Sequence, residues 1–154
     1  MKIAVLNEFS QAPKNGIILK ELKSVVEPMG HQVFNAAMEV PLTDQDVPEA
    51  YTQENPRLTY LHLGIMSALL LNSGAVDFVV TGCGTAQGAL MSLNMYPGVV
   101  CGYCIEPTDA YLFLQINNGN ALLQSLFLTP PISAKEHIVP PVKTSSIFSI
   151  FTPQ

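Results

Sequence analysis

A glycine-rich segment that follows an apolar run is the part of this sequence best suited to chemistry. It reads Val79-Val80-Thr81-Gly82-Cys83-Gly84-Thr85-Ala86-Gln87-Gly88. Aliphatic residues followed by glycines predict a strand that leads through a loop into a helix. The free N–H groups at a helix start favour an anion and lower the pKa of a nearby thiol. We therefore predict an active-site loop in which Cys83, at the start of the helix, acts as a base or nucleophile; the alternative is a tight turn in which the cysteine only packs.

The same glycines allow a second interpretation. The spacing Gly82-x-Gly84-x-x-x-Gly88 is a loose form of the dinucleotide-binding fingerprint. Glu106 lies near the place where that fingerprint needs an acidic residue for the ribose. The first strand of a dinucleotide-binding unit is normally N-terminal, which this strand is not, so the match is weak.

The remaining cysteines and the histidines predict neither a redox pair nor a metal site. Cys101 and Cys104 form a CxxC motif, but residues i and i+3 of a strand point to opposite faces, so the two thiols are not expected to pair. His31, His62 and His137 show no spacing typical of metal ligands. We expect no metal and no organic cofactor.

The positions of apolar residues predict the elements that carry the loop. Strands are expected at 2–6, 31–35, 76–80, 99–104 and 121–124, with helices between them. This alternation predicts an α/β fold, a Rossmann-like three-layer α/β/α domain over residues 1–126 with an open, mostly parallel five-stranded sheet. We expect a polar surface loop at 41–56. The proline-rich tail at 127–154 is expected to be irregular and to pack on a partner subunit. Loops at the carboxyl ends of the strands bring Glu8, Cys83 and Glu106 to one edge.

Composition excludes several classes of protein. The net charge is -5 with no cluster of basic residues, which argues against a nucleic-acid partner. The longest apolar run, at 65–71, is far shorter than the roughly 20 residues that span a membrane. Three cysteines form no disulfide framework, so we expect a cytoplasmic protein. Charged residues make up only 12% of the chain, which favours burial of some surface in a subunit interface.

The loop and the residues after it resemble the ribose-5-phosphate isomerase B / galactose-6-phosphate isomerase family. That family has the pattern C-G-T-G-x-G, Asn, P-G, x-E-P, Q-H-N and Asn, and its spacing is kept here from residue 76 to 120. The first strand and a G-H-x-V motif also fit, so the resemblance covers about the first 125 residues. The matching residues are Cys83-Gly84-Thr85-Ala86-Gln87-Gly88, Asn94, Pro97-Gly98, Cys104-Ile105-Glu106-Pro107, Gln115-Ile116-Asn117, Asn120 and Gly30-His31-Gln32-Val33.

The resemblance implies a reaction and a set of site residues. In that family a base moves a proton between C1 and C2 of an open-chain aldose through an enediolate, without a metal or cofactor, in sites at a dimer interface. A homodimer, or a dimer of dimers, that binds a sugar or sugar phosphate is therefore expected. The implied residues are Cys83 as the base with Thr85 beside it, Gly84, Ala86, Gln87 and Gly88 as the anion loop, and Glu8, Tyr60 and Asn117 as substrate contacts.

Three departures from the family pattern bear on the substrate. Glu8-Phe9 stands where the family has D-H, and Ile116 replaces the histidine that opens the sugar ring. No arginine follows Gln124, and Arg57 is the only one in the chain. We therefore predict an isomerase for an altered or open-chain sugar or sugar phosphate. A sugar- or anion-binding or regulatory protein that has lost catalysis is the alternative, and a nucleotide-cofactor domain is a third, weaker one.

Overall fold

The computed structural model describes residues 1–37 and 58–125. Within these residues all strand pairs are parallel, and the sheet order is β2-β1-β3-β5-β4. The Rossmann-like fold is therefore confirmed, whereas the predicted loop at 41–56 and the tail at 127–154 lie outside the described residues. The elements are β1 (Lys2–Asn7), α1 (Ala12–Val26), β2 (Gln32–Asn35), α2 (Tyr60–Asn72), β3 (Phe78–Cys83), α3 (Gln87–Asn94), β4 (Cys101–Tyr103), α4 (Pro107–Asn117) and β5 (Ala121–Ser125).

Alternation along the central strands divides the core into two layers. On β1, Ile3 and Val5 pack in one cluster with residues of α1 and α4. Ala4 and Leu6 pack in the other, with residues of α2 and α3. Because neighbouring strand residues face opposite ways, an aliphatic strand with helices on both sides is apolar throughout.

The end of β3 differs from the prediction. The strand continues through Cys83, and α3 begins only at Gln87, so Cys83 ends a strand and does not start a helix. β3 is paired on both sides, with β1 as far as Gly82 and with β5 as far as Cys83. The Thr81 hydroxyl also donates to the Leu6 carbonyl of β1. Hydrogen bonding to strands on both sides thus keeps Thr81 and Gly82 in β3. The local sequence pattern does not predict this extension, because these two residues are not strongly apolar.

β1 and β3 lie side by side, but the chain leaves them in opposite directions. After β1 it crosses to β2 through α1, and after β3 it crosses to the β4–β5 side through α3, on the other face. A crevice forms where connections diverge in this way, and it is the usual ligand site of open α/β sheets. Glu8 and Cys83 stand at this crevice.

Two asparagines of the family pattern have structural roles. The Asn94 side chain donates to the Cys101 carbonyl at 2.9 Å and accepts from the Cys101 N–H at 2.9 Å, covering the outer edge of β4. The Asn120 side chain accepts from the Val100 N–H at 2.8 Å and donates to the Gly98 carbonyl at 2.7 Å. Asn94 thus supplies hydrogen bonds that the outer edge of β4 otherwise lacks, and Asn120 joins the segment before β4 to the start of β5.

The helices α2 and α3 approach each other closely because α2 turns its small residues inward. Gly64, Ser67 and Ala68 are buried, whereas Leu61, Ile65 and Leu69 are exposed by 57%, 45% and 66%. A Cβ at Gly64 would lie 2.6 Å from the backbone oxygen of Ser92 on α3. This packing places the start of α2 against the start of α3.

We expect Gly64→Ala to lower stability because the added methyl would push α3 away. The cost should be about 1–3 kcal/mol, as for other overpacked helix contacts. Gly16→Ala on α1 is the matched control, since a Cβ there meets nothing within 4 Å, and it should gain about 0.5–1 kcal/mol from helix propensity. Thermal unfolding of both variants checks this; equal stabilities would contradict the close contact.

Candidate active site

The thiol of Cys83 lies at the centre of the crevice. The residue is 8% exposed, and its sulfur receives hydrogen bonds from the backbone N–H groups of Ala86 and Ala89. The first turn of α3 therefore points donors at the sulfur, as an anion-binding helix start does. Thr85 and Gln87 are exposed beside it, so the loop presents one hydroxyl and one amide to a ligand.

The conformation of the loop depends on Ala86. This residue precedes α3 with φ of 69° and ψ of -26°, in the left-handed region. A side chain is disfavoured there, and glycine is the usual residue. The family pattern has glycine at this place, and alanine keeps the same turn at a cost. Strain of this kind is frequent at ligand sites, where the surrounding structure over-determines the backbone.

The pKa of the Cys83 thiol is raised, contrary to the expectation from the helix start. Burial is the main cause, and the charge of Glu8 and a hydrogen bond to its carboxylate add to it. The N–H groups of Ala86 and Ala89 act in the lowering direction but do not outweigh these effects. The resting site therefore holds a protonated thiol that donates to a carboxylate.

Glu8 is held in place on both its backbone and its side chain. Its N–H donates to the carbonyl of Gly82 at 2.9 Å, which fixes it next to the end of β3. The Ser10 hydroxyl donates to Oε2 of Glu8 at 2.7 Å, and the Gln11 amide donates to that hydroxyl at 2.9 Å. Gln11 is itself only 3% exposed. The carboxylate is thus oriented by a short chain of side chains.

Tyr60, one of the predicted substrate contacts, lies at the start of α2 next to the glycine-rich loop. The Phe9 N–H donates to the Leu58 carbonyl at 2.8 Å, which ties the segment before α2 to the residues after β1. The Tyr60 ring then lies over Gly88, where a Cβ would meet ring carbons at 3.2 and 3.3 Å. The absence of a side chain at Gly88 is what lets the ring cover the start of α3.

Asn117 is not brought to Cys83 within one chain. α4 begins at the carboxyl edge of the sheet, just after β4, and runs back to the opposite edge, where β5 starts. Asn117 and Ile116 end α4 there, and both are exposed. Of the predicted site residues, the structure therefore assembles Glu8, Tyr60 and the loop 83–88, and it leaves Asn117 on the far edge.

Behind Glu8, the side-chain amides of two buried asparagines, Asn7 and Asn15, and of the half-buried Asn35 form a chain that sequence reasoning missed. The Ala37 N–H donates to the Asn35 side chain, which also accepts from Asn15 at 3.0 Å, and Asn15 accepts from Asn7 at 2.8 Å. The Ala37 N–H can only donate, so the Asn35 oxygen must accept, and Asn15 and Asn7 each donate through their NH₂ groups. The Oδ1 atom of Asn7 is therefore left at the end of the chain, without a partner among the described residues. The sequence did contain one indication of this chain, since asparagines end both β1 and β2.

The other candidate chemistries are not supported by the geometry. Cys101 and Cys104 lie in opposite core clusters as free thiols, and burial raises the pKa of each to about 12. The Glu106 side chain caps α4, and β5 separates β4 from β3, so Glu106 does not stand beside the glycine loop as a ribose acceptor would.

Residues 1–37 and 58–125 contain neither a metal-ligand cluster nor a membrane-spanning helix. No group of three or more His, Cys, Asp or Glu side chains in these ranges is arranged to hold a metal ion. None of the helices described is both long and apolar enough to cross a membrane.

Comparison with known proteins decides the family. The Ribose/Galactose Isomerase family model matches residues 20–138, well over half of the chain. The chain belongs to this family. Ribose-5-phosphate isomerase B of Escherichia coli (strain K12) is 32% identical over 77 residues, which are 50% of this chain and 52% of that protein. This family member therefore spans about half the length of the curated relative it matches.

Two solved structures resemble the chain over nearly its whole length. The ribose-5-phosphate isomerase of Vibrio parahaemolyticus is 48% identical with a TM-score of 0.79, over 100% of this chain and 65% of that one. A 4-deoxy-L-threo-5-hexosulose-uronate ketol-isomerase complexed with a tartrate is 43% identical with a TM-score of 0.78, over 97% of this chain and 62% of that one. Relatives with this fold thus include an isomerase named for a phosphorylated sugar and one named for a sugar acid.

We expect Ala86→Gly to relieve the strained turn without removing its N–H donor. The variant should unfold at a slightly higher temperature, with a gain of up to about 1 kcal/mol after the entropy of glycine is subtracted. Ala89→Gly, within α3, is the control and should lose about 1 kcal/mol or more. Chemical denaturation measures both; a clear loss at position 86 would contradict the strain.

Proposed function

We propose that this protein is an aldose–ketose isomerase in which Cys83 is the general base. The observation that supports this most is the setting of the Cys83 sulfur, between backbone N–H groups of the loop and the Glu8 carboxylate. Cys83 removes the proton at C2 of an open-chain aldose and returns it to C1. Donors in the loop 84–88 stabilise the negative oxygen of the enediolate, with the Thr85 hydroxyl beside the reacting carbons. Family membership supports the same reaction class.

The substrate we propose is an open-chain sugar with an anionic group. Ile116 cannot transfer a proton, so a ring-opening step has no histidine at this position, and a substrate that is already acyclic does not need one. The relatives provide two chemistries for the anionic group, a phosphate in the ribose-5-phosphate isomerase and a carboxylate in the uronate ketol-isomerase. Of these two classes we propose the uronate, because the missing histidine at Ile116 separates this chain from the ring-opening pattern of the ribose-5-phosphate isomerase B family.

We further propose a homodimer, which can assemble into a dimer of dimers. The exposed stripe of Leu61, Ile65 and Leu69 on α2, next to Met91 on α3, is the kind of apolar surface that a second copy covers. Asn117 lies on the far edge of its own sheet, so it can contact substrate only at the Cys83 site of a partner. The unpaired thiols support the expected cytoplasmic setting.

The second candidate is a protein that binds such a sugar without turning it over. Two observations favour it: the raised pKa of Cys83 lowers the fraction of thiolate available as a base at neutral pH, and Ile116 cannot transfer a proton. Calorimetry that shows tight binding of a sugar acid or sugar phosphate, together with no isomerisation of the same compound, would establish this function.

The first test is turnover of a panel containing ribose-5-phosphate and 4-deoxy-L-threo-5-hexosulose-uronate. We expect isomerisation of the uronate, and a loss of about 10²–10⁴-fold in kcat for Cys83→Ala, the range of a general base. Cys101→Ala, which removes a buried thiol away from the crevice, serves as the control and should keep kcat. Unchanged turnover in Cys83→Ala would refute the proposed base.

The shared site is tested by mixing subunits. Cys83→Ala and Asn117→Ala should each be nearly inactive alone. After joint unfolding and refolding in equal amounts, half the dimers are mixed and each has one intact site, so about a quarter of wild-type activity should return. No recovery, with folded mixed dimers present, would mean that Asn117 does not complete the partner's site.

A further inference from the structure

The carboxylate of Glu8 interacts with the Cys83 thiol itself, which a residue that only binds the sugar would not need to do. It accepts a hydrogen bond from the thiol of Cys83, and Ser10 and Gln11 orient it from the other side. Its backbone is fastened to Gly82, the residue before the base. The bonds from Ser10 and to Gly82 hold the Glu8 carboxylate at the end of β3, beside the thiol. Residues that touch in this way can pass a proton between them.

An aldose–ketose conversion needs two kinds of proton transfer. One proton moves between carbons C2 and C1, and another moves from the oxygen on C2 to the oxygen on C1. A single base that serves both carbons leaves the oxygens to a second group. Among the described residues, Glu8 is the carboxylate that contacts Cys83.

We propose that Glu8 is the second proton-transfer group of the site, serving the two substrate oxygens while Cys83 serves the two carbons. This rests on the proposed isomerase function. Ser10 and Gln11 are positioning residues, because they act on substrate only through the Glu8 carboxylate. The proposal assigns Glu8 a catalytic role beyond the sugar contact implied by the resemblance.

The protons balance over one turnover. The thiol first passes its proton to Glu8, which gives a thiolate and a carboxylic acid. The thiolate takes the C2 proton while Glu8 protonates the oxygen on C1, and an enediol forms. Glu8 then removes the proton from the oxygen on C2, the thiol protonates C1, and the ketose results. Return of the Glu8 proton to sulfur restores the starting site, with no oxidant, reductant or metal needed.

Few other charges bear on this pair within the described residues. α3 carries no ionisable side chain, and α2 carries only Tyr60 and His62. His62 is engaged with Thr59, its Nδ1 lying 3.1 Å from the backbone nitrogen and 2.9 Å from the hydroxyl. Lys14 is the charged residue in the first turn of α1, and burial lowers its pKa. Among the described residues, Glu8 is therefore the charged group that acts on the Cys83 thiol, and its effect adds to the larger one of burial.

The decisive variant is Glu8→Gln, which keeps the shape and removes the charge and the proton. We expect kcat to fall by about 10²-fold or more, with a smaller change in KM. Alkylation of Cys83 by iodoacetamide should become faster at a fixed pH near 8, because loss of the neighbouring charge lowers the thiol pKa. Slower turnover with a more reactive thiol is a result that a merely structural role does not produce.

Three further variants complete the test. Glu8→Asp keeps a carboxylate and should recover part of kcat, and Ser10→Ala should lower kcat by less than Glu8→Gln does. Glu27→Gln, an exposed change at the opposite edge of the sheet, should alter neither turnover nor alkylation. The Thr85 hydroxyl is the other group that could transfer the oxygen protons. Thr85→Val should lower kcat by less than Glu8→Gln does.

Each outcome is decisive. Near wild-type kcat in Glu8→Gln, or a larger loss in Thr85→Val, overturns the proposal. An alkylation pH profile that is the same in wild type and Glu8→Gln also overturns it, because the thiol and carboxylate would then not interact. If the wild type isomerises no substrate, the proposed function fails and the catalytic role of Glu8 fails with it, whereas the alkylation profiles still report whether the pair exists.

Discussion

The structure of this site depends on the parallel pairing of β1 with β3. Asn7 lies opposite Gly82 in the ladder, and the next N–H, that of Glu8, donates to the Gly82 carbonyl. This register sets the carboxylate beside Cys83, and the diverging connections open the crevice in front of both. A slip of one residue would turn every following side chain of the strand to the other face. The core clusters on the two faces prevent such a slip.

The thiol is held between opposing influences, and their balance differs from that of a simple helix-start cysteine. Backbone N–H groups of Ala86 and Ala89 favour the thiolate, whereas burial and Glu8 favour the thiol. The second pair prevails, so the protein stores the proton on sulfur beside a group able to receive it. The amide chain from Asn35 to Asn7 and the brace from Gln11 to Glu8 fasten the end of β1 that carries this group.

Family membership and the departures from the family pattern fit a single description. The retained residues either shape the crevice or, like Asn94 and Asn120, complete the edge of the sheet. The two changed residues lie in different places, Glu8 beside Cys83 and Ile116 at the far end of α4. The chain keeps the fold of the family, and two of the solved structures that resemble it are named for sugars with different anionic groups.

The sequence alone determined the order of strands and helices, because apolar periodicity reports burial on each face. It also identified the loop around Cys83, because an aliphatic run followed by closely spaced glycines predicts a strand that leads into a loop. Only the tertiary structure decided that Cys83 ends a strand, that Ala86 takes the strained conformation, and that Asn117 lies on the far edge. The sequence predicted a lowered pKa for the Cys83 thiol, whereas the structure raises it, because the pKa depends on burial and on Glu8, a residue distant in the chain. Contacts of that kind arise from strand register, which no local pattern of residues contains.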